Sequence, residues 1–275
     1  MSFDPYAPYG AVLETTGRLA TWNVWGRYGE WPARLDGIVA ELKRCAPDVV
    51  CLQEAWATPE ENQADLVGDA LGLPYRFAWG DWPQDGWTSG GAICSRWPIA
   101  ARAQRPLPGQ AGAAGTAGYA GIDGPRGFLQ VFTVMLDYPL HASGIRQQQV
   151  RELLTFVSEA AAPRQPVVIC GDFNAGPDSD EIRMLTGRSQ PPVPGMAFYD
   201  AWEVAGDGGP GFTWSNQNPL AALSLLPDRR FDYVLSAWPR RGGAGHPVRC
   251  ELLGVRPRGE AQLSDHYGVV ADLRY

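Results

Sequence analysis

At 275 residues the chain can hold one large domain or two small ones, and 45% hydrophobic with 19% charged residues excludes a disordered chain. A formal net charge of -7 and a pI near 5.0 argue against a general affinity for nucleic acid, which takes a clustered basic face. No run approaches the roughly 20 apolar residues of a membrane span, and the opening MSFDPYAPYG lacks a basic, apolar leader. Cys45, Cys51, Cys94, Cys170 and Cys250 show no metal-ligand spacing, and most stand in apolar runs, so they read as buried thiols of a reducing compartment. A soluble, cytoplasmic monomer is expected.

Residues 1–16 are rich in Pro, Gly and Tyr and are expected to form an arm, with a single domain over 17–275. Arg18 to Trp25 reads as a strand ending in Asn23, which either holds a metal-bound carboxylate or water in place or bonds neighbouring backbone. Ala33 to Cys45 places Leu35, Ile38, Val39 and Leu42 on one helical face. Asp48 to Leu52 is a buried strand running into Gln53 and Glu54. A carboxylate at a strand end suits a hard divalent cation, although Glu54 taken alone reads as a solvated loop charge. Thr58-Pro59 with Glu60 and Glu61 predicts a helix start running to Leu71.

The stretch Trp79 to Trp97 carries Trp79, Trp82, Trp87 and Trp97 around a short strand, Gly91 to Cys94. These rings either form a rim for a ligand or seal the layers. Gln104 to Gly127 is Gly, Ala and Pro-rich and is expected to be a long loop or lid. Phe128 to Leu136 is a strand, and Gly144 to Ala161 a helix burying Val150, Leu153, Leu154 and Val157. Val167 to Cys170 is a buried strand leading into Asp172 and Asn174. There a carboxylate can take a proton and an amide can donate to an oxyanion, although Gly-Asp and Asn-Ala-Gly-Pro are also ordinary turn formers. Asp178 and Ser179 precede a short helix through Leu185, a Pro-rich loop covers 191–195, and Asn216 and Asn218 stand in a polar turn. Arg230 to Leu235 is a strand carrying Asp232, Val248 to Val255 another, and Leu263 to Tyr267 brings Asp265 and His266 before a last strand, Gly268 to Leu273.

Many strand ends carrying Asn, Asp, Glu or His imply a shared site at one sheet edge. Asp232 is available to fix the tautomer of His266, which then donates to a phosphoryl oxygen. The motifs TWNVWGR, VVCLQE, GDFN, FDYVL and LSDHYGV occur in that order, and on them the chain resembles the endonuclease/exonuclease/phosphatase superfamily, which includes abasic-site endonucleases, deoxyribonucleases, sphingomyelinases and inositol-phosphate phosphatases. The resemblance covers Gly17 to Tyr275.

It implies an α/β fold, a four-layered α/β/β/α sandwich of two facing mixed β-sheets flanked by helices. It also implies a Mg²⁺ or Mn²⁺ site at Glu54, shared with Asp265 and Asn23. Further, it implies that Asp172 handles the attacking water, that Asn174 stabilises the transition state, and that the Asp232–His266 pair binds a phosphate oxygen. In one place the pattern breaks, because Met135 stands where the family often has His, and a thioether donates no proton. His141, six residues on, is a possible substitute or a loop cap. The expected activity is hydrolysis of a phosphate ester in a small metabolite, lipid headgroup or natural-product intermediate. The alternatives are a nuclease, or a repurposed enzyme or binding protein in which Met135 has weakened hydrolysis.

Overall fold

A computed structural model describes residues 6–109, 115–162, 166–257 and 261–275. In its first half β1 (Thr16–Asn23), α1 (Trp31–Cys45), β2 (Val49–Ala57), α2 (Gln63–Leu71), β3 (Tyr75–Pro83) and β4 (Thr88–Ser95) precede β5 (Ile99–Pro106) and β6 (Thr116–Gly124). Then come β7 (Gly127–Met135), α3 (Ser143–Ala160), β8 (Val167–Asp172), α4 (Asp180–Leu185), β9 (Phe198–Asp200), α5 (Ala201–Ala205), α6 (Pro219–Ala222), β10 (Asp232–Ala237), β11 (Pro247–Leu253) and β12 (Gly268–Arg274). One six-stranded sheet has the order β11, β12, β1, β2, β4, β3; the other has β5, β6, β7, β8, β10, β9. Each sheet is antiparallel except for one central parallel pair, β1 with β2 and β7 with β8. A parallel pair needs a crossover, and α1 and α3 supply it.

Alternation along the strands creates the four layers. Leu19, Val49, Cys51 and Ile93 meet Ala120, Val131, Val168, Cys170 and Val234 between the two sheets. The neighbouring positions point outward. Ala20, Trp22, Val50 and Leu52 pack on Ile38 and Leu42 of α1 and Val67 of α2. Phe132, Val134 and Ile169 pack on Val150, Leu153 and Val157 of α3. The expected sandwich is therefore the observed one, with helices as the two outer layers.

Three sequence expectations need correction. The supposed loop over 104–127 contains the end of β5 and the whole of β6, with residues 110–114 outside the described part. Its glycine provides room rather than slack: a Cβ at Gly118 would lie 2.0 Å from the Trp79 ring. The tryptophan-rich stretch is likewise two strands, β3 and β4, longer than the predicted 91–94. Finally, α2 starts at Gln63, capped by Asn62, which accepts from the Asp65 amide. Thr58 instead closes a preceding turn by accepting from the amides of Glu60 and Glu61. The arm runs beside Gly242, whose carbonyl accepts from Leu13 N at 2.8 Å; residues 1–5 lie outside the described part. Among the described residues no helix is long and apolar enough to cross a membrane.

Candidate active site

The layer between the sheets changes character at one end. Thr21, Gln53 and Thr133 follow the apolar positions, and the Gln53 amide donates to Thr21 Oγ1 at 3.0 Å and Thr133 Oγ1 at 2.9 Å. These bonds tie the two sheets together beneath the site. One step further the register sets Asn23 beside Gln53, Met135 beside Asp172, and Asp172 opposite Asp232. Residues distant in sequence thus meet because two parallel pairs and one antiparallel partner end together.

Backbone exceptions aim the side chains. The pairing of β2 with β4 slips between Leu52 and Ala55, and Glu54 has φ 54°. A bulge with a left-handed residue swings Glu54 toward the cleft instead of the helix face its parity assigns, at a cost of about 1–3 kcal/mol. Asn174 is also left-handed, φ 49°, which an Asn tolerates. Gly171 has φ 135°, and a Cβ there would lie 2.0 Å from the Val134 carbonyl. Only glycine lets β8 pass so close to β7 before presenting Asp172.

At the centre, Asp172 is fully buried. Its Oδ2 accepts from Asn23 Nδ2 at 3.1 Å and Asn174 Nδ2 at 3.2 Å, and its Oδ1 from the Asn174 amide at 2.9 Å. His266 Nδ1 lies 2.8 Å from Asp232 Oδ2, and its Nε2 faces Asp172 Oδ2 at 3.9 Å. Among the described residues the buried Asp232 Oδ1 has no hydrogen-bond partner, so one carboxylate oxygen of this cluster is left to meet a ligand. Trp214 lies edge-on to the imidazole, with ring centroids 4.9 Å apart. Burial pushes the Asp172 carboxyl up to about 7 against the pull of His266. Burial also opposes the imidazolium, yet the carboxylates of Asp232 and Asp172 outweigh it and hold the His266 pKa well above its ordinary value.

Glu54 and Asp265 form the second part of the site. Both are half-buried. Glu54 is raised to about 7 by burial and then by the neighbouring Asp265 charge, and burial raises Asp265 as well. Two carboxylates that repel in a partly dry site are a donor set suited to a hard divalent cation. Asp172, Asp232 and His266 also bring one ligand atom each within 4.8 Å of one another. The Nδ1 of that histidine is already bonded to Asp232, so this triad is better arranged to move protons.

Two amides depart in part from expectation. Asn23 was expected to hold a carboxylate in place or to share the metal, and it does the first: its Nδ2 donates to Glu54 Oε1 at 2.9 Å and to Asp172, while its Oδ1 accepts from Trp25 N at 3.1 Å. It offers the carboxylates a donor rather than offering a cation an oxygen. Asn174 was expected to donate to the transition state, yet its Nδ2 is engaged by Leu136 O at 2.9 Å and by Asp172. Met135 lies beside them, 3.8 Å from Asn23 Nδ2, and His141 is exposed on a 3-10 turn. Of the tryptophans, Trp82 lines the cleft with Met135, and Trp87 packs edge-on against Tyr28 at its mouth. Trp79 and Trp97 pack against the layer between the sheets instead.

Several residues escaped the sequence reading. Arg34 of α1, buried in the fold, donates to the carbonyls of Val24, Trp25, Gly26, Tyr28 and Leu263. Burial lowers its pKa to about 10. Asn218 donates to the carbonyls of Ser264 and Asp265, and Ser264 Oγ donates to Asn23 O at 2.7 Å. The Asp265–His266 loop is thus tied to β1 and to the turn before α6. The polar turn around Asn218 was the one available signal.

A model of the Endonuclease/Exonuclease/phosphatase family matches residues 20–266. The chain belongs to that family. Its members are generally metal-dependent phosphodiesterases and hydrolases. Among solved structures, the endonuclease/exonuclease/phosphatase from Beutenbergia cavernae DSM 12333 is 23% identical with TM-score 0.72, over 94% of this chain and 71% of that one. The family member from Bacteroides vulgatus is 21% identical with TM-score 0.71, covering 94% and 99%. D. rerio TDP2 complexed with single strand DNA product is 20% identical with TM-score 0.76, covering 95% and 100%. These likenesses establish the fold. No curated protein matches the chain by sequence.

Proposed function

We propose that the chain hydrolyses a phosphate ester of a small metabolite, lipid headgroup or natural-product intermediate, with Mg²⁺ or Mn²⁺ held by Glu54 and Asp265. The observation that carries this reading is a buried carboxylate and a buried imidazole 3.9 Å apart, at the one end of the sandwich where Glu54 and Asp265 also gather. When bound, the metal supplies Lewis acidity toward a phosphoryl oxygen. The remaining chemistry belongs to the chain. Asp172, with a pKa near neutrality, takes the proton of the attacking water. Asn23 and Asn174 fix its orientation and leave it deprotonated often enough to act. The His266 imidazolium, aimed by Asp232, donates from Nε2 to the phosphoryl oxygen on which charge grows.

Phosphate mono- and diesters should turn over with Mg²⁺ or Mn²⁺ and should not after Asp172→Asn or His266→Ala. Absence of turnover by the folded, metal-supplied protein, and also by Met135→His, would overturn the reading.

A nuclease is the second reading, motivated by the likeness to TDP2 and by a groove of about 730 Å³ that starts at Asn174 and is lined by Arg188, Arg229 and Arg230. Two of those charges are neutralised, Arg188 by Glu203 and Arg230 by Asp200, which favours the small substrate. Nicking of plasmid DNA with salt-sensitive binding would reverse that preference.

A further inference from the structure

Asp232 opens β10 of one sheet, and His266 stands just before β12 of the other. Among the described residues no strand ladder joins them, so backbone pairing does not align the 2.8 Å contact between their side chains. Asp172 is the ladder partner of Asp232 and lies on the same side of that divide. Its 3.9 Å separation from His266 Nε2 therefore depends on the same alignment.

Thr213, in the segment between α5 and α6, spans the divide. It is fully buried. Its Oγ1 accepts the amides of Phe231 at 3.0 Å and Asp232 at 3.1 Å, and its carbonyl accepts the amide of Tyr267 at 2.7 Å. Side chain and main chain of one residue thus hold the two segments that carry the pair. The hydroxyl has a place to fill, because β9 pairs with β10 only from Leu235 to Ala237 and leaves the outer edge at Asp232 without a strand neighbour. A buried amide left unpaired there would be costly. Other tethers hold one side at a time: Trp22 Nε1 donates to His266 O at 3.0 Å on the first sheet, and Phe173 N to Phe231 O at 2.8 Å on the second. The next residue, Trp214, lays its indole edge-on to the His266 ring.

We infer that Thr213 is the positioning residue that sets Asp232 and His266 in register across the two sheets and thereby fixes where Nε2 points. The inference rests on the hydrolase reading for its effect on turnover, but not for its effect on the pair. Displacing a reacting group by about 1 Å commonly costs about 10²-fold in rate. A slip of this staple would reach the chemistry without Thr213 touching substrate.

Substitutions at one atom grade the staple. Thr213→Ser keeps the accepting oxygen, Thr213→Cys puts a weak acceptor in its place, and Thr213→Val keeps the shape with no acceptor. In NMR of the full chain without added metal, the Nδ1 proton that His266 shares with Asp232 should give a downfield resonance, identified by its loss in His266→Ala. It should stay in place for Thr213→Ser, shift upfield and broaden for Thr213→Cys, and be lost to exchange with water for Thr213→Val. A resonance unchanged in Thr213→Val would overturn the inference. If that variant does not fold, one unchanged in Thr213→Cys would do so.

Turnover of bis(p-nitrophenyl) phosphate with Mg²⁺ gives the second readout. For Thr213→Val kcat should fall about tenfold or more with KM within about twofold, while Thr213→Ser should keep kcat within about threefold. A raised KM with kcat unchanged would overturn the inference, since binding rather than alignment would then be at stake. If the unsubstituted protein cleaves no ester while the resonance weakens in the order Ser, Cys, Val, the positioning role stands and the hydrolase reading falls. If the ester is cleaved and the resonance does not respond, the reverse holds.

Discussion

Two strand-helix-strand units, Thr16–Ala57 and Gly127–Asp172, occupy the centres of the two sheets and share one device. The fourth residue of each crossover helix is a buried arginine that folds back onto the loop before it: Arg34 of α1 onto Val24 to Tyr28, and Arg146 of α3 onto Asp137, Pro139 and Leu140. The units differ in what else the arginine meets. Arg146 pairs at 2.8 Å with Glu181, which is fully buried. Among the described residues Arg34 makes no ion pair, and it reaches Leu263 O at 3.0 Å, in the loop that leads to Asp265 and His266. The second unit is thus tied by an ion pair to α4, whereas the first is tied through a carbonyl to the loop of Asp265 and His266. The strand ends differ in the same sense. Asn23 holds Glu54 and Asp172, while its counterpart Met135 turns an apolar face to the cleft.

The largest test of this asymmetry is chemical. Asp172→Asn and His266→Ala, which remove the groups the two units bring together, should each lower kcat/KM by about 10³-fold or more with little change in far-ultraviolet dichroism. Next come the arginines. Arg146→Met strands the Glu181 charge and should cost on the order of 3–5 kcal/mol in urea denaturation, largely recovered in the double variant with Glu181→Leu. Arg34→Met orphans a set of carbonyls and should cost about 3 kcal/mol. No second substitution in a carboxylate can recover it, and turnover should fall with it as the Asp265–His266 loop loosens. Met135→His should raise turnover of phosphate mono- and diesters by about tenfold, since a single transition-state donor commonly contributes more than that. An unchanged rate would show that the second unit's strand end has no part in catalysis.

The smallest effect is on stability. Asp172, Glu54 and Asp265 have raised pKa values in the fold, so the folded state holds protons that the unfolded chain has lost. Stability contributed this way is lost as pH rises from about 4 toward 7, and the raised pKa of His266 acts in the same direction as pH rises further. Melting temperature without added metal should therefore fall over this range, and excess Mg²⁺ or Mn²⁺ should flatten the slope. A slope of opposite sign would contradict these assignments.

Much of this was legible because strand ends announce themselves. Asn23, Glu54, Asp172, Asp232 and His266 all adjoin apolar runs, and the run fixes the strand and, for Asn23 and Asp172, the face on which the side chain emerges, whereas Glu54 reaches the cleft only through its bulge. What the runs do not encode is whether an amide turns its oxygen or its nitrogen inward. Asn174 was accordingly expected to donate to a transition state although its amide nitrogen is engaged within the fold, and of the two roles open to Asn23 only the hold on a carboxylate matches its hydrogen bonds. Composition misled over 104–127, where Gly and Ala normally mean a turn. There the small residues serve Trp79 on the opposing sheet, a partner far enough away that no local pattern names it. Arg34 and Arg146 were invisible for the complementary reason, since a charged residue on a helix reads as solvated until the fold places carbonyls around it.

The indole of Trp79 rests where Cβ atoms at Gly91 and Gly118 would be, one residue from each of the two facing sheets. Alanine at either position would act as a wedge, prising apart the layers nearest the catalytic end. The spacing of the jaws is thus preset by one ring in two notches, so a single side chain gauges the gap between the sheets.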